Sequence, residues 1–148
     1  MREASCHVPL FIDVPGQAAG SLSELVEHID LFPTICDLVG AEVPDSVQGR
    51  SLVPSMKNGS PEAGWRDAVF SQIGDMQMIG TETEKLNVYG GESGEYFNLA
   101  EDPKEFHNRI DDSACADRVA ALRSRFDQWY AETAVEGAEF QTVAKTTA

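Results

Sequence analysis

The sequence predicts a mixed α/β chain: one strand of a parallel sheet, then an α+β unit in which a four-stranded antiparallel sheet is packed by a C-terminal helix. Three observations carry this. Residues 8–14 (VPLFIDV) are a nearly continuous apolar run closed by Pro15-Gly16, the pattern of a strand buried on both faces. Four short runs between positions 68 and 99 are separated by turn residues, which suits an antiparallel meander. Finally, Val119, Leu122, Phe126 and Trp129 or Tyr130 repeat at helical spacing as a stripe for packing on the sheet. The first run has no partner strands of its own type, so the parallel sheet is expected to lie upstream of this chain.

Taken in order, a loop over 16–21 follows the first strand. Asp30 then reads as the N-cap of a helix, with Pro33 in its first turn, where a missing N–H costs nothing. The helix is expected to run to Val39 and to stop at Gly40, with Phe32, Ile35, Cys36 and Val39 on its packed face. Residues 48–54 and 58–64 are loop. The strand runs are 68–73, 76–81, 85–89 and 95–99. Asp111 and Asp112 open the last helix, over 113–132, where acidic side chains favour the dipole; 137–148 reads as a polar tail. The expected organisation is 1–55 as the end of an α/β domain, 65–134 as a sheet subdomain and 135–148 as a tail.

At 148 residues the chain suits one domain. It has 25 acidic residues against 11 basic ones, a net charge of -14, and no basic stripe, which argues against a nucleic-acid partner. No apolar run approaches a membrane span. Residues 1–7 lack the apolar core of a secretory signal, so the expected location is cytoplasmic by default, the alternative being a longer parent whose targeting segment this chain has lost. Cys6, Cys36 and Cys115 form no C-x-x-C pair, and His7, His28 and His107 have no metal-ligating spacing.

Four segments, in order, resemble the formylglycine-type sulfatases, an arylsulfatase-like family of the alkaline phosphatase superfamily. Glu3 to Leu10 with Val14-Pro15-Gly16 is similar to E-x-s-x-R-V-P-L-i-i-x-x-P-G, with His7 at the arginine position. His28 to Ile35, closing at Gly40 and Pro44, resembles h-i-D-l-f-P-T-i-l-d-l-a-G-x-x-x-P. Gln48 to Pro54 is similar to x-G-r-S-L-x-P, and Glu95 to Asn108 resembles E-L-Y-D-L-x-x-D-P-x-E-x-x-N. A further stretch, Met78 to Leu86, departs from the family's m-I-R-T-x-x-w-K-L by Gly80 and Glu84; the glycine weakens that strand.

The resemblance implies a sulfuric ester hydrolase whose nucleophile is a formylglycine made from a cysteine in C-x-[P/A]-x-R, assisted by a divalent cation, usually calcium. None of the three cysteines begins that motif, and the family's paired aspartates, its D-x-G-x-x-x-G-like segment and the lysine preceding the Glu3 position are not found. The chain is therefore expected to start after the family's active-site sequences, to contribute no catalytic residue or metal ligand, and to be inactive alone. Glu3, Pro9, Pro15, Gly16, Asp30, Pro33, Thr34, Gly49, Ser51, Leu52, Asp102, Pro103, Glu105 and Asn108 read as framework. Lys85 is the one residue singled out as able to approach a substrate in an intact enzyme; the alternative is a lysine snorkelling off the sheet. Two other readings stay open: part of a phosphonate or phosphate monoester hydrolase, or a non-catalytic module complementing a separately encoded N-terminal half. That half is the expected partner, with self-association through the uncovered run at 8–12 when it is missing.

Overall fold

The computed structural model describes residues 1–90 and 93–133; the tail expected over 137–148 and the middle of the turn between the last two strands lie outside them. In chain order the elements are helices α1 (Glu3–Cys6), α2 (Leu31–Val39) and α3 (Val53–Asn58), strands β1 (Val69–Ile73), β2 (Met76–Gly80), β3 (Glu84–Tyr89) and β4 (Ser93–Asn98), and helix α4 (Ala116–Thr133). They form two compact units: Met1–Val8 with the chain from Phe70 onward, and Pro9–Val69. The first eight residues thus group with the sheet and not with the segment that follows them.

The sheet is the expected meander, order β1-β2-β3-β4. β2 and β3 pair antiparallel with Ile79 opposite Leu86, and β3 and β4 with Leu86 opposite Tyr96. Because side chains alternate along a strand, Ile79, Leu86, Val88 and Tyr96 share one face, while Met78, Lys85, Asn87, Glu95 and Phe97 share the other. β3 is buried along its middle on both faces.

Helix α4 covers the first face. A 3-10 turn at Ser113–Cys115 precedes it, and Asp112 caps that turn by accepting from the Ala114 amide at 2.9 Å. Leu122 and Phe126 are buried, and Phe126 tilts against Trp129 at 5.3 Å. Trp129 stacks on Phe70 at 4.7 Å with rings 2° from parallel, whereas Tyr130 is exposed, so the stripe continues through Trp129.

In the other unit, α2 ends where expected, with Gly40 at φ +70° as its left-handed stop. Two expectations fail there. Residues 8–14 form no strand: an isolated extended segment has no neighbour to satisfy its N–H and C=O groups, and Leu10 and Phe11 are left exposed. The packed face of α2 is also not the apolar one. Phe32, Ile35 and Val39 are exposed and only Cys36 of the expected set is buried, with Pro33 and Thr34. The helix instead turns its polar side, Asp30, Thr34 and Asp37, to the loop at 49–52. Arg50 donates its amide to Asp30 at 2.8 Å, Leu52 its amide to Thr34 Oγ1 at 3.0 Å, and Ser51 its hydroxyl to Asp37 at 2.7 Å. The loop comes so close that a Cβ on Gly49 would lie 2.0 Å from the Ile29 carbonyl oxygen.

Phe126 joins α4 to the aromatic cluster, so Phe126→Ala should destabilise the sheet unit by about 3–5 kcal/mol. Denaturant unfolding followed by tryptophan fluorescence measures it.

Candidate functional site

On the sheet face away from α4, the central strand places an ammonium group where no solvent reaches it. Lys85 is 1% exposed, which corrects the expectation of a lysine snorkelling into water. A buried ammonium needs compensating charge, and two carboxylates supply it: Glu105 at 2.9 Å, and Glu3, in direct contact. Glu105 reaches Lys85 from a loop in which it is the one described non-glycine residue at positive φ, +56°, a conformation costing on the order of 1 kcal/mol or more. The strain is offset by its contacts. Its second oxygen accepts from the Glu3 amide at 2.6 Å and its carbonyl from Arg2 at 2.5 Å.

Around this triad, Arg2 pairs with Glu95 at 2.6 Å and lies over the Phe97 ring at 4.7 Å. Tyr89 donates its hydroxyl to Glu95; burial and then that carboxylate push the phenol up to about 12. Asn87 donates to the Met1 carbonyl at 3.1 Å and to Glu95 at 3.3 Å, leaving its own oxygen buried without a partner. Burial works against the charge on Glu3, but Lys85 and then His7 outweigh it and hold the carboxyl below its ordinary range.

A second polar hub forms in the Pro9–Val69 unit. Asp30 is fully buried and does not cap α2 with its side chain. It grips Arg66 through both guanidinium nitrogens, one at 2.6 Å, and accepts the amides of Glu27 and Arg50 at 2.8 Å each. Burial opposes its ionisation, yet Arg66 and the two amides prevail and hold it below the usual carboxylate range. Thr34 donates back to the Asp30 carbonyl at 2.6 Å. Arg66 and Arg50 flank the Trp65 ring at 5.1 and 4.8 Å.

The structure therefore gathers the framework residues into two clusters. Asp30, Thr34, Gly49, Ser51 and Leu52 form one, with Pro33 in the buried first turn of α2. Glu3, Lys85 and Glu105 form the centre of the other. Asn108 braces it by accepting the Tyr96 amide at 3.0 Å and donating to the Gly94 carbonyl at 3.2 Å. Asp102, in the Asp102-Pro103 turn, accepts the His107 amide at 2.8 Å. Pro9, Pro15 and Gly16 join neither; the last two form a turn closed from Gln17 to Val14 at 3.0 Å. The sequence reading did not single out Arg2, Arg66 or Asn87; Arg2 meets Glu95 and Glu105, Arg66 meets Asp30 and Asn87 meets Met1, all too far along the chain for a local pattern to mark.

In both clusters the buried ions are paired, Lys85 with Glu3 and Glu105 and Asp30 with Arg66. Among the described residues no group of three or more His, Cys, Asp or Glu is placed to hold a metal ion. A hollow of about 170 Å³ is lined by Leu86, Val88, Ile110 and Val119 together with Ser93 and Arg123. No described helix is long and apolar enough to cross a membrane.

Comparison with known proteins gives this scaffold its class. The chain is 32% identical over 132 residues to an arylsulfatase of Clostridium perfringens, covering 82% of this chain and 27% of that protein. It is 31% identical over 147 residues to the multifunctional alkaline phosphatase superfamily protein PehA of Trinickia caryophylli, covering 84% and 29%. Its fold matches the solved structure of a phosphonate monoester hydrolase from Silicibacter pomeroyi with a TM-score of 0.66 and 25% identity, over 73% of this chain and 25% of that one. These are sulfatases and related hydrolases of the alkaline phosphatase superfamily, and this chain corresponds to a C-terminal part of the sulfatase scaffold. It belongs to the N-sulphoglucosamine sulphohydrolase C-terminal family, whose model matches residues 1–132. The chain spans less than a third of the length of the curated relatives it matches.

Removing one partner of a buried ion pair typically costs 3–5 kcal/mol, so Asp30→Ala should destabilise its unit by about that amount at pH 7. Because the folded Asp30 carboxyl lies below its ordinary value, its contribution is present above about pH 4 and lost as pH falls through the folded pKa. Thermal melts between pH 7 and 2 should show wild type and variant converging at the acid end.

Proposed function

We propose that the chain is the carboxyl-terminal part of a sulfuric ester hydrolase whose nucleophile and cation ligands come from the rest of the assembled enzyme, and that alone it does not turn over. One observation carries this reading. The apolar side of α2 is uncovered, with Phe32 52%, Ile35 59% and Val39 72% exposed, and in the same unit Phe11 is 90% exposed. Contiguous apolar surface of this kind marks an interaction site.

The occupant that fits is the catalytic α/β part of a sulfatase, continuous with this chain or encoded apart from it. Open parallel sheets cover both faces with helices, and a helix apolar on its outward side is suited to complete such a layer. The short share of the relatives' length that this chain spans supports the same assignment. Calcium, the cation usual in the family, belongs with that part, because a hard cation needs several converging oxygen ligands. A phosphonate monoester hydrolase is the second reading, favoured by the likeness to the Silicibacter pomeroyi structure. Comparing aryl sulfate with aryl phosphonate turnover by the assembled enzyme separates the two.

The purified chain, given an aryl sulfate and calcium, should release product only at background. Without the nucleophile, a stray acid or base adds only about a hundred- to ten-thousand-fold, far short of enzymatic acceleration. Turnover abolished by mutating Cys6, Cys36 or Cys115 would overturn the reading. The uncovered face should also drive self-association, seen by light scattering after size exclusion and reduced by replacing Phe32 and Ile35 with serine.

A further inference from the structure

We propose that Met1–Val8 is a charge-held clasp, which closes over the Phe97 face of the sheet and opens without unfolding it. The idea goes beyond the sulfatase reading and stands or falls apart from it.

The cover and what it covers are chemically mismatched. No residue from Met1 to Val8 is buried, and α1 buries none. Beneath it, Phe97 and Asn87 are fully buried and Lys85 is 1% exposed. A segment that shields such residues normally anchors itself with apolar side chains of its own. This one is attached by polar contacts instead: Arg2 to Glu95 and to the Glu105 carbonyl, Glu3 to Lys85, the Glu3 amide to Glu105, and Asn87 to the Met1 carbonyl. The Arg2 guanidinium also lies on the Phe97 ring, and the Arg2 side chain is itself 48% exposed.

The pairs that stay behind permit release. When the segment leaves, it takes the Met1 ammonium, Arg2 and Glu3 together, two positive charges and one negative. The sheet keeps Lys85 paired with Glu105 at 2.9 Å, and Glu95 keeps its bonds from Tyr89 and Asn87. No ion is stranded in an apolar site, so opening avoids the penalty that normally locks a buried ion pair. Once detached, α1 unravels, because a four-residue helix is far below the length that is stable in water. Local opening of this kind is drawn from segments with few buried apolar contacts.

Amide hydrogen exchange tests the clasp on the full chain. The probes are the amides of Glu3, Cys6 and His7, which donate to Glu105, Arg2 and Glu3, against those of Leu86 and Phe97 in the sheet. Glu3→Gln and Arg2→Gln should each speed exchange of the clasp amides by about tenfold and leave Leu86 and Phe97 unchanged. Raising salt from about 0.05 to 1 M, which shortens the screening length to about 3 Å, should act in the same direction. Clasp and sheet amides changing together, in either variant or with salt, would overturn the proposal, as would clasp amides that respond to neither variant.

Discussion

Much of the sheet unit follows from a single group, the ammonium of Lys85. It sits in the central strand on the face opposite α4, where 1% of the residue reaches solvent. An ion in that position costs several kcal/mol in lost hydration unless charge and hydrogen bonds surround it. Meeting that demand shapes two distant parts of the chain. Glu105 takes a left-handed conformation to bring its carboxylate to Lys85, and Glu3 brings the first residues onto the sheet. Glu105 then serves as a junction: its two carboxylate oxygens and its carbonyl each hold a different donor, from Lys85, Glu3 and Arg2.

The Pro9–Val69 unit solves a similar problem with the opposite sign. Buried Asp30 is an acceptor hub, and its donors come from Glu27, Arg50 and Arg66, three places on the chain that would otherwise have little apolar surface in common. Thr34 and Asp37 extend the same logic along α2, each holding one residue of the loop at 49–52. With its polar side committed inward, the helix is left with its apolar side outward.

These two hubs give a physical account of the motifs shared with sulfatases. Asp30, Thr34, Gly49, Ser51 and Leu52 are one hydrogen-bonded assembly built from two motifs. Glu3, Glu105 and Asn108 belong to another, built from the first motif and the last. Each motif is half of a joint whose other half lies elsewhere in the chain.

The sequence by itself determined the local structure. The four strands, the stop of α2 at Gly40, the acidic start of the last helix and the stripe through Leu122 and Phe126 were all legible, since turn residues, helix ends and periodicity act over a few positions. The class of the chain was legible from the same stretches. Tertiary structure alone decided three things. The run at 8–14 makes no strand, because a strand exists only beside another. The outward apolar face of α2 could not be read from its periodicity, which marks a stripe but not what covers it. Lys85 is buried because Glu3, 82 positions before it, and Glu105, 20 positions after it, meet over the sheet. Charge pairing across such distances leaves no trace in neighbouring residues, and only the folded chain brings the partners within reach.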